Sequence, residues 1–265
     1  MHPKSISHGA LKTEAEHRRD LCVVGRWIRD RGYAASTDGN ISVRLGPDRV
    51  LISPTGISKG TMEPDDLVVI DFDGRRVNGL RKQSSEFAMH LLIYRLRPDV
   101  NAVCHAHPVT ATGYAAAGMP LDKPILCELV IGLGEIPLAR YGTPGTPELS
   151  AAMEPFIHGH DAILMANHGV VTYGPDLLTA FFRMEATEHF AQVSLVTERL
   201  GKQVVLSGCD VEKLAAARTR YAAGAKASEA SAAGAAECPT ESVTLTRREL
   251  EALIDEGIRR DRTRR

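Results

Sequence analysis

Residues 100–108 read Val100-Asn101-Ala102-Val103-Cys104-His105-Ala106-His107-Pro108, an apolar run that ends in an H-x-H pair and is closed by proline. The pattern predicts a short strand, stopped where Pro108 removes a ladder donor. Strand side chains alternate between faces, so His105 and His107 share one face while Cys104 and Ala106 turn to the other. Two imidazoles on one face can share a metal ion, but a protein metal site takes three or four ligands. The remaining ligands must come from elsewhere in the chain.

Immediately upstream, Gln83-Ser84-Ser85-Glu86 leads into the apolar residues Phe87, Leu91, Leu92 and Tyr94, and Arg97-Pro98-Asp99 ends that pattern. This predicts a helix with Ser84 or Ser85 as N-cap and Glu86 in its first turn. An acid there is ordinary, because the helix dipole favours it. The chemical alternative is an anion cup of serine hydroxyls and free N–H groups with Glu86 beside it. His90, one turn further on, reads as packed or solvated.

Further upstream, a helix is predicted over residues 13–31, where Leu21, Val24, Trp27 and Ile28 recur at helical steps before Gly32. His17, among charged neighbours, reads as part of a solvated face. Strands are predicted near residues 41–44, 49–52 and 67–71, with a hairpin turn at Asp73-Gly74. Between them lie Ser36-Thr37-Asp38-Gly39-Asn40 and Ser53-Pro54-Thr55-Gly56-Ile57-Ser58, loops of small residues. Such loops suit a phosphate or carboxylate, although any turn uses the same residues.

Downstream, Thr110 to Ala117 reads as a small-residue helix, and Gly132-Leu133-Gly134 lacks the third glycine of a dinucleotide fingerprint. A helix is predicted from Pro144-Gly145-Thr146-Pro147-Glu148 to about Ile157. The second H-x-H, His158-Gly159-His160, sits at a turn where no common face is imposed and reads as structural. Residues 162–166 form a predicted strand ending in Asn167-His168-Gly169, which repeats the layout of the first histidine site. The longest helical pattern covers 175–200, where Glu185 and His189 read as a local pair.

The 265 residues are 43% hydrophobic and 25% charged with a net charge of -1, a balance that calls for neither nucleic acid nor an anionic membrane and favours a small-molecule partner. The chain start lacks the apolar core of a secretory signal, and no run is long and uncharged enough to span a bilayer, so a cytoplasmic location is expected. Five scattered cysteines without C-x-x-C spacing point to reduced thiols. Two regions are expected: a main domain over 1–208, and an extension over 209–265 with an Ala/Gly/Ser-rich tract at 222–236 and a short amphipathic helix opened by Thr246-Arg247-Arg248-Glu249.

Glu86, His105, His107 and His168 together make one acid and three histidines near predicted strand ends. In order along residues 14–200, Gly39-Asn40-Ile41-Ser42, Pro54-Thr55-Gly56-Ile57-Ser58, Ser84-Ser85-Glu86, His105-Ala106-His107-Pro108 and Asn167-His168-Gly169 resemble the motifs of the class II aldolase/adducin family, near its L-fuculose-phosphate aldolase branch. The resemblance implies an α/β fold of three layers, αβα, with a central, mainly antiparallel sheet flanked by helices. It implies a homotetramer with active sites between subunits. It places Zn2+ on His105, His107 and His168, with Mn2+ or Co2+ as alternatives, and gives Glu86 two roles, resting ligand and general base.

By the same resemblance Gly39, Asn40, Thr55, Gly56, Ser84 and Ser85 hold the phosphate of a small sugar. The implied reaction is metal-stabilised enediolate chemistry that breaks or forms a carbon–carbon bond. That branch's proton-donating tyrosine belongs in the stretch Pro124-Ile125-Leu126-Cys127-Glu128, where no tyrosine stands; Glu128, Tyr114 and Tyr141 are the candidates to replace it. The departure raises decarboxylation, dehydration and epimerisation as alternatives at the same metal. A non-catalytic adducin-like interaction module is the alternative from another class.

Overall fold

The computed structural model describes residues 12–217. Helix α1 (Glu14–Asp30) opens at Thr13, whose hydroxyl accepts from the Glu16 N–H while the Glu16 carboxylate accepts from the Thr13 N–H. Such a capping box adds about 1 kcal/mol to a helix start. After it the chain lays down β1 (Asn40–Arg44), β2 (Arg49–Ile52), β3 (Val68–Asp71) and β4 (Arg76–Asn78) as an antiparallel meander. Gly74, at a φ of +79°, turns the last hairpin as Asp73-Gly74 predicts.

Helix α2 (Phe87–Leu96) crosses to β5 (Ala102–Ala106), which carries the first histidine of the H-x-H pair. Then follow α3 (Val109–Ala116), α4 (Cys127–Gly132), β6 (Leu138–Ala139), α5 (Pro147–Ile157), β7 (Ala162–Met165), β8 (Gly169–Gly174) and α6 (Leu177–Arg199). The eight strands form one sheet in the order β4-β3-β2-β1-β5-β8-β7-β6, antiparallel throughout except for the parallel pair β6 and β7. The fold is therefore α/β with a mainly antiparallel central sheet.

Alternation along the strands divides the core into two layers. Ile41, Val43, Leu51, Cys104 and Leu164 face residues of α1, α3 and α6 such as Val24, Ala111 and Phe181. Val50, Ile52, Val103, Ile163 and Tyr173 face Leu91 and Ile93 of α2 and Met153 of α5. At about 25 cal/mol per Å² of apolar surface removed from water, two such faces supply the main drive for this architecture. Cys104 is turned into the first core as the alternation requires, and burial pushes its thiol up to about 12, so it is inert at neutral pH.

Strand β8, like the short α4 and β6, is an element the sequence pattern does not signal. All six of its residues are buried, so Gly169-Val170-Val171-Thr172-Tyr173-Gly174 shows no polar alternation. It lies between β5 and β7 and bonds to both. Cys22, Cys104, Cys127 and Cys209 are free thiols, as expected; Cys238 lies outside the described residues. So do the Ala/Gly/Ser-rich tract and the helix predicted after Thr246. Among the described residues no helix is long and apolar enough to cross a membrane.

Candidate metal centre

Because β1 and β5 are antiparallel with Asn40 opposite His105, the first loop motif and the first metal motif become cross-strand neighbours. Asn40 and Ser42 alternate with Ile41 and Val43, so they face α2. Helix α2 brings Glu86 down onto them. Glu86 is the N-cap itself, with φ -98° and ψ 16°, and the helix proper begins at Phe87. This corrects the expected start by one or two residues: Ser84 stands before the cap, where its hydroxyl accepts from the Glu86 N–H at 3.3 Å. From the cap the Glu86 carboxylate reaches Asn40 of β1 and His105 of β5, in the middle of the sheet.

The ligand atoms of His105, His107 and His168 lie within 4.8 Å of one another, and this is the one group among the described residues with the makings of a metal site. His105 Nε2 lies 3.1 Å from His107 Nε2 and 3.2 Å from Glu86 Oε2, and His168 Nε2 lies 3.1 Å from Glu86 Oε1. The Nδ1 of His105 donates to the Val170 carbonyl at 2.9 Å, since a carbonyl only accepts. In the neutral ring that leaves Nε2 with a bare lone pair, which is the tautomer a metal ligand requires. His107 is turned by its neighbours too, with Nδ1 at 3.6 Å from Asp38 Oδ2.

A divalent cation fits this donor set. Tetrahedral zinc with bonds of about 2.0–2.1 Å spaces its ligand atoms about 3.3 Å apart, which the pairs His105–His107, His105–Glu86 and His168–Glu86 match at 3.1–3.2 Å. One atom also lacks a directed partner: Glu86 Oε1 is buried with no directed hydrogen bond. An unsatisfied buried polar group costs about 1–3 kcal/mol. Electrostatics agree. Burial alone would raise the Glu86 carboxyl, but His105 and His168 outweigh it and hold the group well below the usual carboxylate range. Burial first, and then the neighbouring His105 and His168, push His107 down to about 3, so it stays neutral.

Glycines make the close packing possible. A Cβ on Gly169 would stand 2.5 Å from the His107 ring and 2.8 Å from the Ala106 carbonyl, and one on Gly39 would stand 2.8 Å from the His105 carbonyl. Gly169→Ala is therefore expected to displace His107, weaken metal affinity by at least about 10-fold and destabilise the fold by about 1–3 kcal/mol. Metal titration and thermal melts on the same preparation read both effects.

The loop residues singled out in the sequence also converge. Thr55 N–H donates to the Lys82 carbonyl and Ser84 N–H to the Ser53 carbonyl, which laces the Pro54-Thr55-Gly56 loop to the Ser84-Ser85 loop. Thr55, Gly56 and Ser85 are exposed, whereas Ser84 is buried. Asn40 is different: its side chain is buried, with Nδ2 donating to Glu86 Oε2 at 2.7 Å and Oδ1 accepting from His90 Nε2 at 2.5 Å. His90 is fully buried, where burial first and the neighbouring His105 second push it down to about 3. It is packed, as expected, but bonded into the site, a link visible in sequence only as the four-residue step from Glu86.

The remaining candidates lie apart from this cluster. His158 is the exposed C-cap of α5, and His160 bonds to Glu135 and the Phe156 carbonyl. Glu185 pairs with Arg31 rather than with His189. Tyr114 donates to Glu198 at 2.9 Å, Tyr141 is exposed, and Glu128 accepts from Cys127.

Sequence reasoning missed Lys59. Its buried ammonium donates to the Thr37 and Ile57 carbonyls, tying the first two loops together. Burial pushes it down to about 8. An unfolded lysine keeps its proton to about 10.4. Between these values the unfolded chain binds more protons, so this group's contribution makes stability rise with pH, by on the order of 3 kcal/mol across the window. Denaturant melts at pH 7.5, 9 and 10 are expected to show that rise as a difference between the parent protein and Lys59→Met.

Comparisons with known proteins follow the same outline. Residues 19–195 match the model of the Class II Aldolase and Adducin N-terminal domain. The chain is similar to 5-deoxy-D-ribulose 1-phosphate aldolase of Bacillus thuringiensis serovar kurstaki, 33% identical over 202 residues, covering 76% of this chain and 94% of that one. It is equally similar, at 33% over 186 residues, to 3-oxo-tetronate 4-phosphate decarboxylase of Haemophilus influenzae, covering 68% and 88%. Among solved structures, an L-fuculose 1-phosphate aldolase superposes with a TM-score of 0.72 at 31% identity, over 78% of this chain and 98% of that one.

Proposed function

This chain belongs to the class II aldolase and adducin family, and from that premise we propose that it is a zinc-dependent aldolase that breaks or forms a carbon–carbon bond in a small phosphorylated ketose. The observation that carries the reading is the clustering of three imidazoles, two of them within 3.2 Å of one buried carboxylate, with His105 fixed in the ligating tautomer by Val170. A non-catalytic module has no use for so costly a cluster. When bound, a divalent cation supplies Lewis-acid stabilisation of the negative charge that develops on a carbonyl oxygen as the adjacent bond breaks.

The chain's own residues then divide the work. His105, His107 and His168 are the ligands. Glu86 is ionised at neutral pH and anchored through Oε2 to Asn40, so Oε1 is the atom that takes up and returns the proton. Thr55, Gly56, Ser84 and Ser85, with the backbone at Gly39 and Asn40, bind the substrate phosphate at the lip of the site. Binding remote from the reacting bond positions that bond for cleavage. By family likeness the working assembly is a homotetramer with sites between subunits, which sedimentation velocity measures directly.

Decarboxylation of a phosphorylated 3-oxo acid is the second reading. It draws on the decarboxylase relative and on the stretch 124–128, which carries no tyrosine to give the aldehyde oxygen its proton as the carbon–carbon bond forms, or to take that proton back as it breaks. Incubation of the zinc-loaded protein with a panel of ketose 1-phosphates and of 3-oxo-acid phosphates separates the two. Aldehyde with triose phosphate supports the aldolase, and CO2 release supports the second reading. Neither product, with stoichiometric metal present, overturns both.

A further inference from the structure

A line of buried polar side chains runs from the core to Glu86. Tyr94 Oη lies 2.8 Å from Ser42 Oγ, Ser42 Oγ lies 2.7 Å from His90 Nδ1, His90 Nε2 lies 2.5 Å from Asn40 Oδ1, and Asn40 Nδ2 lies 2.7 Å from Glu86 Oε2. Asn40, Ser42, His90 and Tyr94 are each at most 3% exposed. Helical spacing puts Glu86, His90 and Tyr94 on one stripe, and strand alternation puts Asn40 and Ser42 on the facing side of β1. The two periodicities meet.

The chemistry gives this line a single direction. An ionised carboxylate only accepts, so Asn40 must present its NH2 to Glu86, and its carbonyl oxygen therefore faces His90. That oxygen also only accepts, so His90 must carry its proton on Nε2. Its Nδ1 then accepts from Ser42, and Ser42, its proton spent, accepts from Tyr94. Reversing any one link sets two lone pairs or two protons against each other inside the core, where each unmade bond costs about 1–3 kcal/mol. An apolar cluster of equal volume would fill the space without imposing any such order.

We propose that His90, held by Ser42 and Tyr94, is a positioning residue that locks the Asn40 carboxamide with its NH2 end on Glu86 Oε2. It thereby holds the carboxylate in one rotamer with Oε1 turned to His168. The inference rests on the reading of Glu86 as the base only for its kinetic consequence; the lock itself is a statement about tautomer and amide orientation.

His90→Leu is expected to lower kcat by about 10- to 100-fold with KM and metal stoichiometry unchanged. His90→Gln, which keeps a side-chain N–H, is expected to recover at least half of that loss on a logarithmic scale. An unchanged kcat in His90→Leu, or a fall that tracks metal loss and is not recovered by glutamine, overturns the proposal. If His90→Leu does not fold, Ser42→Ala takes its place, with a loss of about 10-fold expected and an unchanged kcat overturning it. Nitrogen-15 NMR of labelled histidine tests the lock without turnover. A non-titrating Nε2–H ring whose Nδ1 signal moves in Ser42→Ala supports it, and an Nδ1–H ring or one titrating near pH 6.5 overturns it. A protein with no activity on either substrate panel but with this tautomer keeps the lock and loses the functional reading.

Discussion

His107→Ala is expected to purify with less than about a tenth of the metal held by the parent protein and to lose about 10³-fold or more in kcat/KM. The magnitude follows from losing one of three imidazoles in a site where oxyanion stabilisation is the largest catalytic contribution, several kcal/mol in comparable systems. His107 is the informative ligand to remove because it is the least buried of the three, with its side chain 25% exposed against 0% for His105. The fold should therefore survive. Elemental analysis and a thermal melt, run beside the kinetics, separate a lost site from a lost structure. Full metal occupancy in this variant would remove His107 from the ligand set.

Glu86→Gln is expected to show the second large effect, a fall in kcat of about 10²- to 10⁴-fold with metal still bound by the three histidines. Glutamine preserves volume and keeps an oxygen for the Asn40 NH2 to donate to, so the packing at the cap of α2 should change little. What it loses is the ability to take a proton. A loss of less than about 10-fold, measured on protein of matched metal content, would transfer the role of base to another residue. A pH profile strengthens the comparison: the parent carboxylate stays ionised through the neutral range because His105 and His168 hold its proton affinity down against the effect of burial.

The parts of the site legible in the sequence are those carried by local periodicity. Alternation alone places His105 and His107 on one face, and their nitrogens do meet at 3.1 Å. The contrast between the two H-x-H pairs was legible as well, because His158-Gly159-His160 has a turn where the other has a strand. What stayed hidden depends on which strands are neighbours. Nothing in residues 36–44 announces that Asn40 will sit across from His105, so its side chain could be assigned to phosphate but not to Glu86. His90 reads in the sequence only as packed or solvated for the same reason: its partners lie about 50 positions away in the chain, in a strand whose pairing is decided by the whole sheet. Lys59 and β8 were missed because full burial removes the polar alternation that marks surface elements.

The register between β1 and β5 carries a consequence for which changes in chain length the protein tolerates. Slipping β1 by one residue against β5 would turn Asn40 and Ser42 toward α1 and bring Ile41 and Val43 under α2, removing the anchor from Glu86 and opening two apolar positions to a polar neighbourhood at once. The turn at residues 45–48 can absorb an insertion, because it lies beyond the last pair Arg44↔Val50. An insertion between Asn40 and Arg44 cannot be absorbed locally. A single added residue at each of these two places, compared for solubility and metal content, should divide cleanly: the turn variant behaves as the parent protein, and the strand variant loses the fold and the site together.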